Sequence, residues 1–291
     1  MFKSIYLIPF VFIFSIGMLH AQEDVQQETK PRPVRNTFES IWLIDNQTVD
    51  VPFKNTFEWD IQHRFGTWEN GYEDYFGLAA PSNIRLGFVY VPLENLQVGF
   101  GITKERKIWD FHAKYVLIKQ KQDSGFPFSI AYFGSVGLDS RDLDSFVETS
   151  DRYSYFNQLM IARKFTDRLA LQIAPSFSYF NSPELIYSDE GNFVGAMNNT
   201  HFAISALGRL GLTDRIGLIL SMDFAVTDHQ INNPENNISI GVEFTTSSHA
   251  FQVFVGNYQS INPQYNHLLN QNSFGDGDIL IGFNITRLWN F

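Results

Sequence analysis

The run Asp110-Phe-His112-Ala-Lys114 places an acid, an imidazole and an ammonium at every second position, with Trp109, Phe111, Ala113 and Tyr115 between them. Successive side chains of an extended strand point to opposite faces, so three ionisable groups share one face and the apolar groups take the other. Glu58, Asp60 and Arg64 alternate with Phe57, Trp59 and Ile61 in the same way, and Arg85 lies between Ile84 and Leu86. Arg209, Asp223 and Glu243 fall on the face opposite comparable apolar rows. A face of mixed charge can pass ions or polar solutes. It can equally satisfy itself through internal ion pairs and networks.

Catalytic chemistry is less well supported. A hydrolase would need a nucleophilic Ser beside a His and an orienting acid or amide. His63 falls on an apolar-facing position near one end of its strand, and no nucleophile motif lies beside it. His201 and His249 sit at strand ends without metal-ligand spacing. The acidic clusters Glu69, Glu73 and Asp74, Asp139, Asp142 and Asp144, and Asp276 and Asp278 are oxygen-rich. Oxygen ligands suit Ca²⁺, but these clusters lack the rest of an EF-hand loop and read as solvated charge. The expectation is therefore no enzyme, no metal and no cofactor.

The elements that must carry these residues alternate in hydropathy. Such segments recur at about 51–65, 82–91, 96–104, 108–119, 127–138 and 152–165, then from 169, 200 and 216, at 238–244 and 251–255, and at 278–291. Twelve strands is an even count, as a bacterial single-chain membrane barrel requires, and most segments approach the ~9–11 residues of a tilted membrane strand. The connections between them alternate short and long, as periplasmic turns and external loops do, except for a tight external turn at 105–107. The last strand places Ile279, Ile281, Phe283, Ile285, Trp289 and Phe291 on one side. Trp289 and the terminal Phe291 look like the signal that outer-membrane barrels present to their assembly machinery. The expected fold is all-β: a transmembrane antiparallel up-and-down β-barrel of about 12 strands, of bacterial outer-membrane type.

Composition agrees. The chain has 29 Phe, 12 Tyr and 5 Trp, yet beyond residue 21 no run approaches the ~18 apolar residues of a spanning helix. Lys3, the apolar run Ile5–Leu19 and Ala21 read as a secretory signal with cleavage near Ala21. The expected organisation is a signal peptide at 1–21, a polar periplasmic lead-in at 22–50 and an outer-membrane barrel at 51–291. The lead-in includes an unassigned apolar segment, 37–44, that could plug the barrel, form a helical turn or add a strand. The absence of Cys excludes disulfides and a lipid-anchored precursor. A net charge of −10 argues against nucleic acid, whose phosphates need Lys and Arg. Gly99 and Gly101 on an inner face suggest close approach of an inserted element, with residues 37–45 or the first external loop as candidates.

Several stretches resemble a family of membrane-bound β-barrel domains of unknown function (domain of unknown function 5777), best known from Bacteroidetes. They are His63-Arg-Phe-Gly66, Tyr75-Phe-Gly-Leu78, Asn83-Ile-Arg-Leu-Gly87 and Gln97-Val-Gly-Phe-Gly-Ile-Thr-Lys104, followed by Trp109-Asp-Phe and Lys114-Tyr. The similarity spans most of the mature chain and is densest over 55–120. It implies an outer-membrane barrel and carries no catalytic residue across. Ile41-Trp-Leu-Ile-Asp-Asn46 departs from the Arg-containing pattern expected of the family.

The functional expectation is a passive or accessory channel for small solutes, lined by the ten charged residues named above. The alternative is a non-conducting structural or partner-binding barrel that works through its external loops, for which Phe133, Phe156, Phe180 and Phe254 on the inner face argue. A lipid-modifying enzyme comes third. Expected partners are outer-membrane lipid, lipopolysaccharide, the barrel-assembly machinery and a small-molecule solute.

Overall fold

A computed structural model describes residues 32–122, 125–142, 144 and 146–290. The signal segment 1–21 and Phe291 lie outside the described residues.

Two short strands come first, β1 (Trp42–Leu43) and β2 (Asn46–Gln47), paired with each other in a hairpin. The wall begins with β3 (Thr56–Thr67), β4 (Asn83–Leu93), β5 (Leu96–Thr103) and β6 (Ile108–Ile118). It continues through β7 (Ser129–Asp139), β8 (Tyr153–Lys164) and β9 (Leu169–Phe180). A second small hairpin, β10 (Leu185–Tyr187) with β11 (Phe193–Ala196), decorates the loop that follows. The wall resumes with β12 (Thr200–Gly211), β13 (Ile216–Ala225), β14 (Asn237–Thr245) and β15 (His249–Gly256). Helix α1 (Pro263–Leu269) precedes the last strand, β16 (Leu280–Asn290).

The twelve wall strands form one closed antiparallel barrel in which β16 returns to pair with β3. The alternation read from the sequence is the alternation of the wall. In β6 every second residue from Ile108 to Val116 is buried, while Trp109, Phe111, Ala113 and Tyr115 are exposed. Closure removes the unpaired edge that a sheet would otherwise present, the condition for strands to cross a bilayer. No helix among the described residues is long and apolar enough to cross a membrane. At the end where β16 stops, the connections between strands are short turns apart from 119–128. Aromatics gather there on the outer surface, with Trp289 5.8 Å and Phe88 5.9 Å from Phe57 between ring centres. Arg287, an outward charge near that end, lies 4.8 Å from the Trp289 ring.

Gly99 and Gly101 do make room, but for side chains of the wall itself. A Cβ on Gly101 would strike the guanidinium of Arg85, and one on Gly99 would strike the ring of His112. Gly87 lies under the contact between Asp60 and Arg85 in the same way. Gly101→Val should therefore expel Arg85 from its bed and lower stability by about 2–4 kcal/mol, the scale of overpacking plus loss of a buried ion pair. Urea unfolding from lipid vesicles, followed by Trp fluorescence, checks this.

Candidate functional site: a lumen closed by two inserted segments

The lumen of this barrel is occupied by the chain's own segments. From one end enters the stretch 37–50, with Phe38, Leu43, Ile44 and Val49 all buried. Asp50 closes its base by accepting hydrogen bonds from the backbone N–H of Thr37 at 3.0 Å and Phe38 at 2.7 Å. The apolar segment that the sequence left unassigned thus forms the β1–β2 hairpin inside the wall, and its apolar side chains join Val116, Phe133, Phe156 and Phe254. At the hairpin tip Ile44 adopts a left-handed φ of 61°, unusual for a β-branched residue. Wall side chains hold both of its peptide groups: its N–H donates to Gln252 at 3.0 Å, and its carbonyl accepts from Asn284.

The other insertion is the last long loop, 257–279, and not the first external loop. Pro263 opens α1 at a position that needs no N–H donor, after Asn262 in an extended conformation. The side chain of Asn262 turns into the barrel and donates to Asp110 at 3.1 Å. Six of the seven helical residues are buried, among them Gln264, Asn266 and His267. The two insertions meet at Asp45, whose carboxylate accepts from the Tyr258 hydroxyl at 2.8 Å and from the Asn266 amide.

Each of the ten charged residues expected to line the lumen is buried in this structure. Arg85 links Asp60 at 2.9 Å to Asp110, which it grips through two nitrogens at 2.8 and 2.9 Å. His112 Nδ1 lies 3.1 Å from Asp110, and the Trp42 ring lies 5.2 Å from the Arg85 guanidinium. Lys114 donates to the Thr48 carbonyl at 2.9 Å. Arg209 donates to Glu243 at 2.6 Å, and Glu243 also accepts from Ser40. Asp223 accepts from Asn46 at 2.8 Å and lies 3.4 Å from His267 Nε2. Arg64 donates to Asn284 at 3.0 Å and sits over Phe254. Glu58 is 2 % exposed, with one carboxylate oxygen unpartnered. The wall thus meets its insertions mostly through hydrogen bonds to Asp, Glu, Gln, Asn and Ser, with a smaller aromatic patch.

Pattern reading did not find Asp45, Asn46, Tyr258, Asn266 or His267. Neither did it find the pair His201 and His229, whose ring nitrogens lie 3.0 Å apart. These residues come from loops or strand ends, where alternation is silent. His63 lies on the outer surface, stacked on Phe283 at 4.9 Å, and its Nδ1 has no hydrogen-bond partner. Among the acidic loop residues, Asp74 accepts from Gly77 N–H and Asp278 from Ser273 N–H, so each is engaged by its own turn.

Above α1 a cleft opens between the external loops, lined by Arg106, Arg141, Arg152, Glu184 and Tyr265 among others. Burial works against the charge of Arg106, but its two-pronged bond with Glu184 outweighs this and holds the guanidinium above its ordinary value. Burial also pushes the Tyr265 phenol up to about 12. Both groups keep their usual protonation across the physiological range, so the cleft offers fixed guanidinium and phenol donors.

The model of the membrane-bound β-barrel domain family DUF5777 matches residues 38–289. The chain belongs to this family. The match begins at Phe38, so the family's domain takes in the inserted β1–β2 hairpin as well as the wall. Among solved structures, the COG4313 outer membrane channel from Pseudomonas putida F1 superposes with a TM-score of 0.53 at 9 % identity, over 82 % of this chain and 97 % of that one. The NanC porin aligns at 7 % identity with a TM-score of 0.47, over 81 % and 99 % of the two chains. The KdgM porin aligns at 11 % with a TM-score of 0.45, over the same shares. At such identities the likeness to the COG4313 channel concerns the fold alone, a closed membrane β-barrel. No curated protein matches the chain.

Proposed function

We propose that this barrel is an outer-membrane channel for small solutes that rests closed, its lumen sealed by the 37–50 segment and the α1 loop. The observation that carries the reading is the polar seam between wall and insertions. Gln172, Glu243, Gln252 and Asn284 grip backbone or hydroxyl groups of the N-terminal insertion. Water can replace hydrogen bonds of this kind when a segment withdraws, leaving a wettable wall. In this reading Asp60, Arg85, Asp110, His112, Lys114, Arg209, Asp223 and Glu243 line the path once it opens. A second reading, a permanently filled barrel that works through its external loops, draws on the aromatic patch of Phe133, Phe156 and Phe254.

Single-channel recording separates them. The refolded mature protein, its folding confirmed by heat-modifiable gel mobility, should show long silent periods with rare discrete openings. Asn266→Ala removes one donor to the Asp45 carboxylate. Loss of this buried hydrogen bond, about 1.4 kcal/mol, should raise the opening frequency about tenfold. Silence from both folded proteins favours the filled barrel.

A further inference from the structure

The lipid-facing wall has a hollow of about 380 Å³ that crosses β8, β9, β12 and β13. Its cause is legible in the register. Arg163, Leu171, Gly208 and Leu220 lie side by side on one cross-strand row. Ile161, Ile173, Ala206 and Met222 form the next row. On both rows β12 contributes its smallest outward residues, Gly208 and Ala206, between bulkier flanks. A groove two rungs high therefore runs along β12. At its short-turn end stands Arg163, the residue before the last of β8.

Arg163 is held ready there. Its guanidinium lies 5.8 Å from the Phe128 ring and 5.0 Å from the Phe165 ring, both of which border the groove. Its Nε is shielded and has no hydrogen-bond partner. Short turns mark the periplasmic end of such barrels, so this cation stands at the level of the periplasmic leaflet's headgroups. A lipid-facing charge near the interface costs little, and a guanidinium pairs well with a phosphate.

We propose that this groove binds one glycerophospholipid of the periplasmic leaflet, its phosphate on Arg163 and one acyl chain along Ala206 and Gly208. The proposal needs the outer-membrane placement and is independent of whether the lumen conducts. A lipid held at this point would cover the hollow and satisfy the Arg163 donor together.

Native mass spectrometry of the intact mature protein, released from detergent micelles doped with a phosphatidylethanolamine, tests it. Diacylglycerol of the same chains serves as the phosphate-free probe. One retained phospholipid per barrel is expected, with diacylglycerol retained much less. Arg163→Gln removes the phosphate contact and should cut retention about tenfold, as loss of a charge-assisted bond implies. Ala206→Phe fills the groove and should cut it as far while leaving heat-modifiable mobility unchanged. Equal retention by both folded variants, or equal retention of diacylglycerol, would overturn the site and leave only unselective annular lipid. A concentration-dependent dimer abolished by Ala206→Phe would also overturn it, giving the hollow to a second copy of the chain.

Discussion

Deletion of residues 37–50 should convert a mostly silent barrel into a conducting one. In the intact protein the segment carries two apolar anchors, Leu43 and Ile44, with no exposed surface, and a tip carboxylate bonded to the opposing loop. Its removal frees Gln172, Glu243, Gln252 and Asn284 to water and leaves the α1 loop without its Asp45 partner. If the plugged state holds about 99 % of the population, losing it raises the open fraction about 100-fold. Planar-bilayer steps and swelling of sugar-loaded vesicles both read this. The wall does not depend on the segment for closure, because β16 pairs with β3 through main-chain bonds. The variant should therefore keep its heat-modifiable mobility. A folded but silent deletion variant would show that the α1 loop, or the aromatic patch, closes the lumen alone.

Arg85→Ala should be the most destabilising single change in the wall. The side chain is 2 % exposed and is the shared counter-charge of Asp60 and Asp110, themselves 0 % and 3 % exposed. Truncation strands two buried carboxylates, an effect of about 3–5 kcal/mol when one partner of a buried pair is lost. It also takes the guanidinium from the Trp42 face, so the inserted hairpin loosens with the wall. Urea unfolding from vesicles should show an earlier midpoint. Adding Asp60→Asn and Asp110→Asn to the Arg85→Ala variant removes the stranded charges and should recover most of the loss. Arg85→Lys should recover little, since an ammonium cannot reproduce the two-pronged contact with Asp110. An unchanged midpoint in Arg85→Ala would mean that water already screens this network.

The wall was legible in the sequence and the contents of the lumen were not, for a physical reason. A strand that separates lipid from a polar interior must alternate, and the apolar row from Ile279 to Trp289 shows it without any partner in view. The charged residues of the inner face were legible through the same parity. An inserted segment obeys no such rule. Asp45, Asn46, Gln47 and Thr48 are almost wholly buried although their composition says surface, because most of their partners are polar groups of the wall and of the α1 loop, far along the chain. Asn46 meets Asp223 across 177 positions. Helix α1 was hidden in the same way, as seven residues in an Asn- and Gln-rich loop with its polar side chains facing inward. The apolar stretch Ile41–Ile44 announced something to bury but not where. Gly101 announced close approach, yet the neighbour proved to be Arg85 and not an inserted backbone.

The grip on Ile44 by Gln252 and Asn284 has a temporal side. The hairpin precedes every wall strand in the chain, but the residues that hold its tip stand on β15 and β16, the last two. Asp45 waits likewise for Tyr258 and Asn266. Contacts of such long sequence separation form late in folding. The tip of this hairpin therefore has no seat until the last two strands and the α1 loop arrive, although β6, β9 and β13 hold its flanks. In the intact chain, seam closure and the seating of the hairpin tip thus fall together at the end of assembly, while closure itself rests on main-chain pairing.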